Sequence, residues 1–444
     1  MATALPSRVT GGYAGEEVVV SRAAICVGLL LLAVTMFVNG ANMRVNSAES
    51  FSVDWQVLLR LAVCGACGLY GLYYLPATFR YLTYWPVAPM TALLVWSMLT
   101  IPLAINRLHA ISSLAAFGGI FLFMPALLRI VPLRSIIITA VVTLTLFLCA
   151  TWFVDHFFPA IGREQYSDQS QGRERLMGLG PPTGIGRHAA LLVAVSCVAY
   201  SQRLLRWYLF LPVFVFATVT LYFTHARMCA LATIVMLAVY ACRHLPIMVK
   251  IPLFCFGVPL FLSAALLGLN QHRAIMSLSR TGQTDEITSV NGRDQLWKDS
   301  VREIRERPLG GYGFGCQRFV IQNQMDTWAD YDPHNTLLNV TLAGGVVAGF
   351  CFLLVIFGQL WYCWQWPCDF ADLILVLIVV GGLTDAVLFK PVPPATTILF
   401  VAALFWRYFE PSRDAAGSPE ACLAAPAVTR SGGVATSISR EVRS

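Results

Sequence analysis

A histidine in a polar segment is the first candidate for chemistry in this sequence. His334 lies in the run Asp332-Pro333-His334-Asn335-Thr336, directly before a long apolar segment. Imidazole changes its charge near neutral pH, so at the mouth of a helix bundle His334 could take a proton from a substrate hydroxyl. A structural interpretation stays open, in which His334 and Asn335 cap the following helix.

Three arginines beside apolar segments are candidates for binding an anion. Arg227 ends the run Thr-His-Ala-Arg, Arg187 follows two glycines at the start of a segment, and Arg293 opens an amphipathic segment. Arginine at mid-membrane costs about 2.5–3.5 kcal/mol on insertion scales, so burial requires an anionic partner. A lipid pyrophosphate would serve, because guanidinium binds phosphate oxygens bidentately. Alternatively, Arg187 and Arg227 reach to the membrane border and Arg293 is a solvated charge.

Two acidic residues have a spacing that is used for metal binding elsewhere. Asp330-Tyr331-Asp332 has the DxD spacing that holds divalent cations in many sugar-nucleotide transferases. The match is only three residues long, and a phosphate already held by arginines needs no cation. We therefore predict no metal ion and no cofactor. Nearly all of the 13 cysteines lie in apolar segments, where cysteine acts as a small hydrophobe.

The composition predicts the elements that must position these residues. Of 444 residues, 57% are hydrophobic and 12% charged, and mean hydropathy is +0.66, whereas soluble domains carry about 25% charged residues. We predict an all-α polytopic membrane protein with about twelve transmembrane helices, each near 20 residues long. The predicted segments are 23–40, 56–75, 86–105, 109–128, 135–154, 185–201, 206–223, 228–243, 249–268, 336–363, 371–389 and 393–409. The net charge of +7 forms no basic stripe, so no nucleic-acid partner is predicted.

The distribution of arginine and lysine predicts the orientation in the membrane. These residues concentrate in alternate short loops, so the positive-inside rule places both termini in the cytoplasm. The predicted parts are a cytoplasmic segment 1–22, nine helices over 23–268 with an outer loop at about 155–184, a large outer loop 269–335, three helices over 336–410, and a disordered cytoplasmic tail 411–444.

The large loop 269–335 contains signs of an ordered subdomain. Asn291 could cap a helix in which Trp297, Val301 and Ile304 form an apolar stripe. Pro308 would end that helix. The glycines from 310 to 315 then predict a tight turn with positive φ.

Four motifs in a fixed order resemble a known family. They are Thr-x-x-Arg at 224–227, Gly-Arg-x-x-x-Trp at 292–297, Arg-Pro-Leu-Gly-Gly-Tyr-Gly-Phe-Gly at 307–315 and His-Asn-x-x-Leu at 334–338. Together they resemble the O-antigen ligase (WaaL) and O-antigen polymerase (Wzy) superfamily over roughly 185–355. The number of apolar segments and the single dominant late loop look most like the ligase.

The resemblance implies a membrane glycosyltransferase of the GT-C type in the bacterial inner membrane, with its active site facing the periplasm. The implied donor is an undecaprenyl-pyrophosphate-linked glycan and the implied acceptor is lipid A–core. The family's essential histidine maps on His334 and its essential arginines on Arg227 and Arg293. Arg187 is a further candidate for the pyrophosphate, and Asn335 and Asp332 are possible supporting residues.

Several alternatives remain open at this stage. A polymerase would use the same donor and a second lipid-linked glycan as acceptor, and a protein O-oligosaccharyltransferase would use a protein. A transporter would require ionisable residues within the spans. The chief candidate there is Asp385, for which a buried pair with Lys390 is an equally good interpretation.

Overall fold

The computed structural model describes residues 21–41, 55–159, 163–164, 175–244, 248, 293–324 and 333–409. Within these ranges the chain is almost entirely helical. The α-helices in chain order are α1 (Arg22–Gly40), α2 (Trp55–Tyr73), α3 (Leu75–Thr78), α4 (Ala88–Leu99), α5 (Arg107–Ile130), α6 (Leu133–Phe157), α7 (Pro182–Ser201), α8 (Trp207–Phe223), α9 (Arg227–His244), α10 (Arg293–Glu306), α11 (Gln317–Gln324), α12 (Thr336–Gln365), α13 (Asp369–Gly382) and α14 (Ala395–Trp406). Two short 3-10 turns, Phe79–Leu82 and Ile101–Leu103, flank α4.

Length and composition make this a multi-pass membrane protein. Seven of the described helices are long and apolar enough to cross a membrane, namely α1, α2, α5, α6, α7, α9 and α12. Three shorter apolar helices, α4, α8 and α14, accompany them. Each predicted apolar segment coincides with a helix except 249–268, which lies outside the described residues.

Two helices form the centre of the bundle. In α7 nearly every side chain from Gly184 to Ala199 is buried, and in α14 every residue is buried. Helix α7 packs against α6, α8, α9 and α13, so its first turn is enclosed by the elements that carry the other candidate residues.

The predicted helix over 371–389 is shorter in the structure. Helix α13 ends at Gly382, and residues 383–394 connect it to α14 without helical structure. Gly381 and Gly382 end the helix because glycine is a poor helix former, and the prolines at 391, 393 and 394 cannot resume it because proline lacks the backbone donor. Asp385 therefore lies in a connecting segment and not within a helix.

Helix α12 is longer than one membrane crossing and is broken near its start. Its 30 residues would extend about 45 Å, against a hydrocarbon core of about 30 Å. Gly344 and Gly345 are not helical, and Gly345 has a φ of +71°. The predicted continuous span 336–363 is thus a short first part, which begins beside His334, followed by a long second part.

A short hairpin lies in the connection between α6 and α7, where no strand was predicted. Strand β1 (Arg163–Glu164) pairs antiparallel with β2 (Arg175–Leu176). Strand β2 packs against α7 and α8.

A network of ion pairs joins the end of α9, the start of α13 and the end of α14. The Asp372 carboxylate at the start of α13 is 1% exposed and pairs with Arg407 after α14 and, at 2.5 Å, with Arg243 at the end of α9. Buried charges in such a network hold their helices in one register because separating them leaves an unpaired charge. Since α9 starts with Arg227 and α13 leads to Asp385, the network fixes the helices that present both residues.

Candidate active site

One cavity of about 240 Å³ brings the predicted residues together. It lies between the first turns of α7 and α9, the C-terminal half of α13 and the starts of α10 and α12. Its charged and titratable lining consists of Arg187, Arg227, Arg293, His334 and Asp385. Its apolar lining includes Ala190, Leu191, Ala232, Leu377 and Ile378. The side chains of four predicted site residues therefore face one space, although they come from four different helices or their flanks.

Asp385 links two of these residues. Its Oδ2 atom lies 2.5 Å from Nη1 of Arg187, and its Oδ1 atom lies 3.6 Å from Nδ1 of His334. Burial alone would raise the pKa of Asp385, but Arg187, the contact with His334 and the positive charge of Lys390 bring that pKa below its usual range. The carboxylate is therefore ionised at neutral pH.

Arg187 has a partner that the sequence did not indicate. Its guanidinium forms a close ion pair with Asp385, and its predicted contact with a phosphate stays a prediction. The positive charge of Lys390, the partner considered from the sequence, also acts on this carboxylate. A buried carboxylate takes the nearest guanidinium because an unpaired charge there is costly. Arg187 still lines the cavity.

Three side chains hold the connecting segment that carries Asp385. Arg293 donates through Nη1 to the carbonyl oxygen of Thr384. Asn335 Nδ2 donates to the carbonyl oxygen of Leu383 at 2.9 Å, and Thr336 Oγ1 donates to that of Asp385 at 3.0 Å. The carboxylate is therefore fixed by residues on both sides of the cavity.

The start of α12 determines where His334 lies. Asn335 caps this helix, since its Oδ1 atom accepts from the backbone N–H of Leu338 at 3.0 Å. Trp297 of α10 donates through Nε1 to the carbonyl oxygen of Pro333 at 3.0 Å. The capping role is thus met by Asn335, while the His334 imidazole faces Asp385.

His334 has a backbone conformation that side chains rarely adopt. Its φ is +49°, and such a left-handed residue costs on the order of 1–3 kcal/mol unless its surroundings hold it. The bonds from Trp297 and Asn335 to its neighbours supply that constraint. Backbone strain of this kind is often found at functional sites.

Arg227 reaches the cavity from the turn between α8 and α9. It is the first residue of α9 and follows His225, whose φ is +50°. Ala226, the residue before Arg227, is buried and packed tightly. A Cβ atom placed on Gly186 would lie 2.7 Å from the Cβ of Ala226. The small pair Gly186 and Ala226 thus lets this turn approach α7 closely.

The glycine-rich segment fills the break in α12. The N–H groups of Tyr312 and Gly313 donate to the carbonyls of Leu342 and Ala343, each at 2.9 Å, and Val346 donates back to Pro308 at 2.7 Å. Trp96 of α4 donates to the carbonyl of Gly344 at 2.8 Å. Backbone groups freed by a broken helix at membrane depth need such partners.

The predicted turn with positive φ is present in this segment, at Gly311, Gly313 and Gly315. A Cβ atom on Gly311 would lie 2.6 Å from the carbonyl oxygen of Ala343. Glycine is therefore required both for the conformation and for the approach of the two backbones.

Some predicted residues lie outside the described ranges. These are Asp330 and Asp332 of the DxD spacing and Asn291, the predicted cap of α10, which is described from Arg293 onward. Among the described residues, no group of three histidine, cysteine or acidic side chains could hold a metal ion.

Comparisons with known proteins agree with a multi-pass membrane protein and indicate which family part of the chain resembles. The family model described as O-antigen ligase matches residues 212–353, a range that includes Arg227, Arg293 and His334. An O-antigen ligase from Pseudomonas aeruginosa is 31% identical over 141 residues, which are 30% of this chain and 34% of that relative. The match thus spans about a third of the relative's length. Residues 212–353 are thus similar to the O-antigen ligase family, which confirms the resemblance seen in the sequence.

Proposed function

We propose that the protein is an O-antigen ligase. It transfers a glycan from undecaprenyl pyrophosphate to lipid A–core at the periplasmic side of the bacterial inner membrane, with both of its termini in the cytoplasm and a GT-C type fold. The observation that carries this proposal is that Arg187, Arg227, Arg293, His334 and Asp385 line one cavity together with apolar residues.

The charge of the cavity suits a diphosphate diester. Three guanidinium groups and one carboxylate leave a net charge of +2 when His334 is neutral (3 − 1 = 2), and a lipid pyrophosphate bonded to a sugar carries about two negative charges. Arg227 and Arg293 bind the phosphate oxygens. Arg227 also opens α9, where the helix dipole favours an anion.

The apolar lining suits the lipid part of such a donor. Ala190, Leu191 and Ala232 lie on α7 and α9, and Leu377 and Ile378 lie on α13. All three helices continue from the cavity into the bundle. The first isoprene units lie against this surface while the diphosphate remains among the arginines.

His334 is the general base of the proposed reaction, and Asp385 is its positioning residue. Nδ1 of His334 faces Asp385, and we assign the acceptor to Nε2. Nε2 takes the proton of an acceptor hydroxyl as its oxygen attacks the anomeric carbon. The bond from that carbon to the phosphate oxygen breaks, and the electron pair leaves with undecaprenyl pyrophosphate. Attack opposite the leaving group inverts the configuration.

The arginines stabilise the charge that develops on the leaving group. Fixed donors aimed at developing charge in a partly dehydrated site are usually the largest single contribution to catalysis. Arg187 acts through Asp385, which it holds against His334, and it remains a further candidate for the pyrophosphate. The pyrophosphate is already a good leaving group, so the proposed reaction uses no metal ion and no cofactor.

Reconstitution tests the proposal directly. The purified protein is placed in liposomes with undecaprenyl-pyrophosphate-linked glycan and lipid A–core, and the products are separated on a gel. The expected product is glycan attached to lipid A–core, formed by the wild type and absent with His334→Ala. Growth of the glycan on the polyprenyl lipid would instead identify a polymerase, and transfer to an added protein would identify a protein O-oligosaccharyltransferase. Glycan crossing the bilayer without any bond formation would identify a transporter.

A further inference from the structure

The turn between α8 and α9 carries Arg227 but leaves a helix carbonyl in need of a donor. Helix α8 ends at Phe223, and the chain reverses at His225 with a φ of +50°. The carbonyl of Thr224 therefore has no continuing helical turn above it to supply an N–H group. Thr224 is fully buried, so water does not reach this carbonyl readily.

Arg175 supplies the missing donor from a distant part of the chain. Its Nε donates to the carbonyl oxygen of Thr224 at 2.9 Å, and the residue is 5% exposed. Arg175 belongs to β2, which packs against α7 and α8. A buried guanidinium at the C-terminus of α8 also interacts favourably with the helix dipole. Arg175, a residue of β2, thus caps the C-terminus of α8.

The opposite side of the same turn is enclosed by α7. A Cβ atom on Gly186 would lie 2.7 Å from the Cβ of Ala226 and 3.1 Å from Oγ1 of Thr224. The backbone N–H of Arg227 donates to the carbonyl of His225 at 3.1 Å. The turn is therefore held between α7 and Arg175, and its position sets the start of α9.

We propose that Arg175 is a positioning residue for Arg227. It lies behind the wall of the cavity and not among its lining residues in the described part of the chain. Its bond to Thr224 keeps the turn in the conformation that directs the Arg227 guanidinium into the cavity. The ligand held by Arg227, a polyprenyl diphosphate, rests on the proposed function, whereas the dependence of the turn on Arg175 does not.

The test compares Arg175→Met with Arg206→Met. Methionine keeps the apolar length of the side chain and removes the donor and the charge. Arg206 is a matched control because it lies at the other end of α8, exposed, with a bond to the hydroxyl of Tyr208. Binding of undecaprenyl pyrophosphate to the purified protein in detergent is expected to weaken about tenfold in Arg175→Met, which is about 1.4 kcal/mol. Arg206→Met is expected to bind like the wild type.

A double-mutant cycle separates positioning from general damage. If Arg175 acts through Arg227, then Arg175→Met should weaken binding little further in a protein that already carries Arg227→Met. If the double variant binds more weakly by the product of the two single fold-changes, the proposal is overturned. Wild-type binding by a folded Arg175→Met protein would also overturn it. If Arg175→Met does not fold, Arg175→Gln replaces it in the same cycle, with at least about threefold weaker binding expected.

Hydrogen exchange without any substrate keeps this proposal distinct from the ligase proposal. In Arg175→Met the amides of residues 224–228 should exchange faster than in the wild type, while amides at the start of α8 are unchanged. Unchanged exchange at 224–228 would contradict the positioning role even if the protein is a ligase. Faster exchange, together with wild-type protein that transfers no glycan, would contradict only the ligase proposal.

Discussion

The Nδ1 atom of His334 lies 3.6 Å from Oδ1 of Asp385, and the other oxygen of that carboxylate is paired with Arg187. The contact places Nδ1 on the Asp385 side of the imidazole ring. It also brings the start of α12 next to the segment after α13, so the proposed base and its partner are supported by separate parts of the bundle.

Replacement of Asp385 by asparagine tests the contribution of this carboxylate. Asp385→Asn keeps the shape of the side chain but leaves Arg187 without its counter-ion and His334 without a negative partner. We expect turnover to fall at least about 100-fold, with a smaller change in donor binding. Steady-state kinetics on the reconstituted enzyme measure both quantities. Turnover within about twofold of the wild type would remove Asp385 from the mechanism.

Replacement of Arg227 by lysine tests whether the bidentate geometry of guanidinium is required. An ammonium keeps the charge but binds a phosphate through one point, so Arg227→Lys should weaken donor binding about tenfold or more. Arg206→Lys is the matched control, because Arg206 is exposed and precedes α8 at its other end. Equal donor binding by Arg227→Lys and the wild type would reduce Arg227 to an anchor at the membrane border.

Chelation tests the prediction that no metal ion takes part. EDTA is added at about tenfold excess over divalent cations, at a concentration on the order of millimolar. Transfer activity should equal that of a sample without EDTA, because the arginines supply the positive charge that a cation would otherwise supply. Loss of activity that returns only with Mg²⁺ would favour a metal site at Asp330 and Asp332. The double substitution of both by asparagine would then abolish the Mg²⁺ response.

Replacement of Gly345 by alanine tests the docking of the glycine-rich segment into the break of α12. Gly345 has a φ of +71°, and an added Cβ atom would collide with the carbonyl oxygens of Leu309 and Pro308. We expect Gly345→Ala to lower thermal stability by about 1–3 kcal/mol and to reduce turnover. Gly118→Ala is the control, since a Cβ atom there meets nothing within 4 Å. Equal melting temperatures for the two variants would contradict this account of the break.

The sequence predicted the helices well, because apolar segments of near-membrane length are a local property. Motif order and residue type also predicted Arg227, Arg293 and His334 as site residues, and the structure places these three around one cavity. It could not give the partner of Arg187, because Asp385 is far away in the sequence and was expected inside a helix. The two glycines at 381 and 382 were the available signal that this helix ends early.

The break in α12 shows a second limit of local reasoning. Gly344 and Gly345 are visible in the sequence, but glycines are common in transmembrane helices. The break depends on backbone donors from residues 312 and 313 and on the indole of Trp96, which only the folded chain brings together. The contact behind the role inferred for Arg175 is likewise visible only in the folded chain, because nothing around residue 175 in the sequence points to Thr224.

Single-turnover transfer by His334→Ala is the most direct test of the central claim that one imidazole takes the acceptor's proton in a cavity whose arginines hold the diphosphate. The variant is mixed with undecaprenyl-pyrophosphate-linked glycan and lipid A–core in liposomes, and donor binding and glycan transfer are measured on the same sample. The account predicts donor binding close to that of the wild type and no detectable transfer. Transfer at the wild-type rate, with the donor bound, would contradict it.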